Sequence, residues 1–127
     1  MPISTYARNG IANGFMNNTP FVVPVVCGTL HDGDPGYATG TNAATTLVDT
    51  EEDRSQIFSA AAVNGVTTST GETEWTIEET TLTTLTHIGT HDAFSGGNWL
   101  GSEPLDQPVQ VIDGDVVALA SFTFTES

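Results

Sequence analysis

The chain has 127 residues, 38% of them hydrophobic, which is enough for one core and too little for two. Two basic residues, Arg8 and Arg54, face 16 acidic ones with no lysine, a formal charge of 2 − 16 = −14. Such a surface repels phosphate and anionic headgroups, which argues against direct nucleic-acid and membrane partners. No apolar run approaches the roughly 20 residues of a membrane span, and residues 1–10 lack the apolar stretch of a secretory leader.

Charged residues are only 14% of the chain, and Val, Ile, Leu, Phe and Trp recur in short runs, so a folded domain is expected rather than an acidic disordered segment. Acidity without lysine fits two settings equally. One is an ordinary acidic protein. The other is adaptation to high salt, where a Debye length of ~3 Å in 1 M salt screens carboxylate repulsion.

In chain order, residues 3–18 carry Ala7, Ile11 and Phe15 at i, i+4 spacing, which predicts one short helix. Gly10 and Gly14 weaken it. The alternative is an ordered arm that packs on the body or on a neighbour. Within this arm, residues 1–18, Tyr6, Arg8, Ile11 and Phe15 are candidate interface residues, with Arg8 able to pair with a partner's carboxylates. Residues 21–30 are β-rich, and Pro24 assigns them to an edge or a bulge. Residues 31–45 are dense in Gly, Asp, Asn and Thr and read as a long loop. A short strand at 46–49, an acidic turn at 50–53 and a strand over 54–63 follow, closed by the hairpin signal Asn64-Gly65.

Residues 66–70 and 73–78 read as Thr-rich strands around Gly71-Glu72. In the second, Trp75 and Ile77 face one way while Glu74, Thr76 and Glu78 face the other. A strand over 82–93, a turn at 95–98 and a strand from Trp99 to Glu103 come next, with Pro104 and Pro108 expected to break the chain. Strands at 109–112 and 116–125 flank Asp113-Gly114-Asp115. Many short strands separated by turn residues predict an all-β fold, a single β-sandwich or jelly roll over residues 19–127 behind a short N-terminal arm or helix.

The chemistry-bearing residues are few. On a strand, His87 and His91 share a face but stand about 13 Å apart, too far to hold one metal ion without other ligands, and Asp92 points the other way. Local hydrogen bonding is the expected role. Asp32 and Asp34, beside Gly33 and Gly36, look like the start of a calcium loop, but the remaining ligand positions are missing. They are weak cation candidates, and an Asx-type turn before Pro35 is the alternative. Ser95 lacks a nucleophile elbow, no glycine loop precedes a helix, and the paired carboxylates Glu51–Asp53 and Glu78-Glu79 sit on turns. Neither catalytic residues nor a cofactor site are expected. Cys27 stands alone among Val25, Val26 and Leu30, which predicts an inert buried thiol. Trp75, Trp99, Phe122 and Phe124 are core residues or carbohydrate platforms. Core is the expectation, and Trp99, next to a turn, is the one most open to a partner.

The second half carries a connected pattern: Thr86-His87-Ile88-Gly89-Thr90-His91-Asp92-Ala93, then Ser95-Gly96-Gly97-Asn98-Trp99-Leu100-Gly101, then Leu105, Pro108, Val111, Gly114-Asp115 and Phe122. It resembles a family of small tailed-phage virion proteins with the signature THxGxxDAxxGGNxLxxGxLxxPxxVxxGDxVxF. Residues 25–36 (VVCGTLHDGDPG) and 54–58 (RSQIF) are similar to that family's early strand and loop and to its ARQxVxF strand. Two departures stand out. His91 occupies a position the family fills with an apolar residue such as Phe, and Glu52-Asp53 replaces the Tyr-Ala before Arg54.

The resemblance implies a β-sandwich virion structural protein without a catalytic role. The favoured expectation is a capsid decoration protein on the particle's exterior. It would be a symmetric homo-oligomer, a trimer by preference, bound to the major capsid protein or another virion protein with avidity offsetting modest single contacts. The alternatives are a tail or fibre-associated module, or a module that binds host-surface glycans through Trp99.

Overall fold

The computed structural model describes residues 2–61, 63–64, 66–119 and 123–125. Helix α1 (Thr5–Met16) opens at Ser4, whose hydroxyl accepts from Ala7 N at 3.1 Å and satisfies one of the helix's unpaired donors. Gly10 is tolerated because the returning chain packs there. A Cβ at Gly10 would stand 2.2 Å from Phe21 Cδ1, so only glycine lets that ring lie on the helix. Tyr6 meets the same ring edge-on, with centroids 5.7 Å apart. Residues 17–26 therefore run back beside α1, and the strand expected over 21–30 begins only at Cys27.

A four-stranded antiparallel sheet follows, in the order β2 (Ser55–Gln56), β1 (Cys27–His31), β5 (Thr83–His91), β6 (Trp99–Val111). Among the described residues two further pairs accompany it in the all-β fold: β3 (Val66–Thr68) with β8 (Thr123–Thr125), and β4 (Thr73–Thr76) with β7 (Val116–Leu119). The strand expected at 46–49 is reduced to an isolated antiparallel bridge of Leu47 to His31, with Val48 N donating to Leu30 O at 3.0 Å, and it follows a helical turn, α2 (Ala43–Thr46), held by Thr46 N donating to Asn42 O at 3.1 Å. The strand expected over 54–63 shortens to β2 with an isolated bridge at Ser59 to Ser69 and another at Val63. Of the strand expected over 116–125, residues 120–122 lie outside the described residues, Phe122 among them, as does Gly65 of the Asn64-Gly65 turn.

The sheets pack around Leu30, Val48, Ile57, Trp75, Ile77, Leu85, Ile88 and Val111. Trp75 and Ile77 point inward together, as alternation predicts, each 1% exposed. Leu85 and Ile88 are both buried although three residues apart, positions that would face opposite ways in a regular strand. A register shift between Leu85 and His87 re-phases β5 so that both reach the core.

Pro104 and Pro108 do not break the chain, contrary to expectation; β6 runs through both. Among the described residues of the four-stranded sheet β6 has a neighbour on one side only, β5, so each proline can turn its missing N–H outward without costing a ladder bond.

Candidate functional site

The four-stranded sheet has a second face, and its residues follow from the first. Gly28 and Leu30 turn toward the core, so Thr29 and His31 turn away from it. The β1–β5 register sets Cys27 opposite His91, Thr29 opposite Gly89 and His31 opposite His87. Trp99, at the start of β6, closes over this group edge-on, its centroid 6.0 Å from that of His31 and 5.0 Å from that of His91. Gly89 makes the space: a Cβ there would meet Trp99 Cη2 at 2.6 Å and His31 Nε2 at 2.8 Å. Trp99 Nε1 donates to Tyr37 O at 3.0 Å.

The hydrogen bonds fix how protons are placed. Thr46 Oγ1 donates to Asn42 O at 2.9 Å, which commits its one proton, so it accepts from His31 Nδ1–H at 2.9 Å. The neutral ring then offers Nε2 as acceptor, and Thr29 Oγ1–H donates to it at 2.8 Å. Both nitrogens of a residue only 1% exposed are thus engaged. Burial first, and then the neighbouring His91 and His87, push His31 down to about 4. His91 is held at about 4 as well, by burial and then by Arg54, with Asp92 opposing. His31 and His91 are therefore neutral at neutral pH, and the chemistry of the cluster is that of a packed polar layer.

Next to it lies the loop of the DAxSGGN pattern. Asp92 Oδ1 accepts from Asn98 N at 2.6 Å and Oδ2 from Asn98 Nδ2 at 3.0 Å, while Asp92 N donates to Asn98 O at 3.1 Å. Burial would raise the Asp92 carboxyl, but the Asn98 hydrogen bonds outweigh it and hold it below the ordinary carboxylate value. Arg54 Nη1 crosses from the start of β2 to donate to Ala93 O at 2.6 Å and Gly96 O at 2.8 Å. Arg54→Ala should remove roughly 2 kcal/mol and speed amide exchange over residues 93–97. Unchanged exchange would mean that the loop holds itself.

The residues singled out in the sequence separate into three places. Asp32 and Asp34 are exposed, and Asp34 Oδ1 accepts from Gly36 N at 2.9 Å, the geometry of an Asx turn. Among the described residues no group of three or more His, Cys, Asp and Glu side chains is placed to hold a metal ion. Tyr6, Arg8, Ile11 and Phe15 sit on α1, 41% exposed for Tyr6 and 84% for Phe15. Ile11, with Ala7, Leu100 and Thr90, lines an apolar cavity of about 230 Å³ between the arm and the sheet. Trp99 is half-buried on the other face, since it neighbours Leu100 in β6. His87 accepts or donates locally, its Nδ1 2.9 Å from Thr86 Oγ1. Cys27 is buried.

His31 escaped the sequence reading, which placed it at the start of a loop. The run Cys27-Gly28-Thr29-Leu30-His31 continues the alternation, and extending the strand by one residue would have put Thr29 and His31 together opposite Leu30.

A search among curated proteins finds no match to the chain. The family model described as Podophage GP4 fiber I protein gp80 matches residues 2–125.

Proposed function

The chain belongs to the Podophage GP4 fiber I protein gp80 family, a family of virion structural proteins, and from that membership we propose that it is a non-catalytic fibre subunit at the tail of its particle. One observation supports the reading beyond the family. The three most exposed large apolar side chains among the described residues are Phe15 (84%) and Met16 (79%) on the N-terminal arm and Val22 (75%) on the segment that returns beside it. Large exposed apolar groups gathered in one place mark a contact surface. The arm is accordingly the element that joins the subunit to other virion proteins. The histidine cluster supports a structural role, because its buried ring nitrogens are already bonded to threonine hydroxyls.

Decoration of the capsid exterior, favoured by the sequence, is the second reading, and the fibre wording of the family description weighs against it. Binding glycans through Trp99 has less support, since Gly40 lies against the ring (a Cβ there would be 2.8 Å from Trp99 Cδ2) and His31 and His91 flank it. Gold-labelled antibody on purified particles tests the assignment. Label clustered at the tail is expected. Label spread evenly over the shell would replace the fibre with the capsid reading, and particles free of the chain would end both.

A further inference from the structure

Charge is segregated along the chain in a way that its total conceals. No carboxylate side chain precedes Asp32, and Arg8 is the only charged residue in the segment 1–31 with His31 neutral. The rest holds Arg54 and all 16 acids, 1 − 16 = −15. The non-acidic segment is also where α1 overhangs the body. Its inner stripe passes from Ala7, 6% exposed, to Ile11, 39%, to Phe15, 84%. Arg8 and Phe15 are seven residues apart, hence on the same side of the helix and about 10 Å from each other.

The far end of β6 presents the complement. α1 is tied to the near end, with Ser4 N donating to Leu100 O at 2.7 Å and Ile3 bridged to Gly101. Residue 112 lies roughly 40 Å further along the strand. There the Thr83–Val111 pair sets Leu82 beside Ile112, and the turn closed by Asp115 N donating to Ile112 O at 3.0 Å returns the chain at Val116. These three side chains are 67%, 50% and 60% exposed. Carboxylates surround them: Asp113 Oδ1 accepts from Glu79 N at 3.2 Å and Asp115 Oδ2 from Ile112 N at 2.9 Å. Glu78 is raised above its ordinary value by desolvation and then by Glu79, Glu51, Asp113 and Asp49, which shows how densely negative this end is.

We infer that the α1 overhang of one copy, Phe15 and Met16 with Arg8, seats on the Leu82–Ile112–Val116 patch of a second copy, whose carboxylates face Arg8. Two different surfaces at opposite ends of the subunit meet, so the contact is heterologous. Copies join end to end and either close into a ring, the expected trimer being the smallest, or continue as a filament. The inference deepens the fibre reading and rests on it for where the contact is used. Bodies of charge −15 repel one another, and this repulsion is screened as the Debye length falls from about 10 Å at 0.1 M salt to about 3 Å at 1 M. One exposed Arg8 pair contributes little by comparison. Association therefore strengthens as salt rises.

Sedimentation of the full chain over a concentration and salt series tests this, with Phe15→Asp, Ile112→Asp and, as alternates, Met16→Asp and Val116→Asp. All four sites are exposed, and only variants that melt like the parent are compared. The parent should form species larger than a dimer in 1 M NaCl, and each single variant should associate more than about tenfold less tightly. Mixing Phe15→Asp with Ile112→Asp leaves one intact overhang and one intact patch, so the mixture should stop at dimers. A parent that stays monomeric throughout, a Phe15→Asp variant that associates normally, or a mixture without dimers would overturn the contact. The location of label on particles is unaffected by any of these results, so the fibre assignment stands or falls separately.

Discussion

Trp75→Ala is expected to cost roughly 3–5 kcal/mol, the range for removing a large aromatic side chain from a core. The residue is 1% exposed, sits on β4 between the sheets, and its Nε1–H donates to Gly28 O at 3.0 Å. Truncation leaves both a cavity and a buried carbonyl without its partner. Domains of this size are stable by only about 5–15 kcal/mol, so the variant should unfold at far lower urea or temperature than the parent. Trp75→Phe separates the two losses. It fills most of the volume and forfeits the indole hydrogen bond, for which about 1 kcal/mol is expected. The measurement is the urea midpoint at constant m-value. A midpoint for Trp75→Ala equal to the parent's would mean that the side chain does not hold the sheets together.

Stability should fall as the solution is acidified from pH 6.5 toward 4, with His31 as the largest single contributor. In the unfolded chain its imidazole titrates near 6.5; in the fold it titrates at about 4, chiefly because burial disfavours the cation. Between those values the unfolded state binds the proton and the folded state does not, so falling pH favours unfolding. The stabilisation is complete above pH 6.5, is lost as pH falls through about 4, and amounts to up to about 3 kcal/mol. His91, also at about 4 but half-buried, adds a smaller loss of the same sign in the same window. An opposing trend comes from the 16 acids, whose mutual repulsion weakens on protonation. Asp92, held low by Asn98, loses its contribution only below the ordinary Asp value. Comparison with His31→Asn isolates the histidine: the variant should be less stable at pH 7 yet change less between pH 6.5 and 4.5. Parallel curves for the two proteins would show that His31 is not the titrating group.

How far these features were legible from the sequence depends on the range over which each is determined. Class and core were legible because they rest on local alternation. Trp75 and Ile77 two residues apart on an otherwise polar strand announce a buried face whatever the strand pairs with. The acidic surface and the N-terminal helix were legible for the same reason: charge is a count, and Ala7, Ile11 and Phe15 define a helical stripe by spacing alone. The prolines of β6 misled because proline is read against the neighbours a strand will have, and the sequence does not say that β6 has only β5 beside it in its sheet. The bulge in β5 was hidden for a related reason, since one displaced residue inverts every later facing without changing composition.

The histidine layer depended most on tertiary structure. His31, His91 and Trp99 come from three strands, and Thr46 from the turn α2. What unites them is antiparallel register, 60 residues apart between Thr29 and Gly89, together with the space left by glycine at that position. The chain by itself determined an acidic all-β domain with an amphipathic N-terminal helix, because periodicity and charge act over a few residues. Only the folded structure decided which histidines lose their water, and that α1 and the 112–116 turn stand at opposite ends of β6. Burial and distance depend on contacts between segments remote in sequence, and no local pattern encodes them.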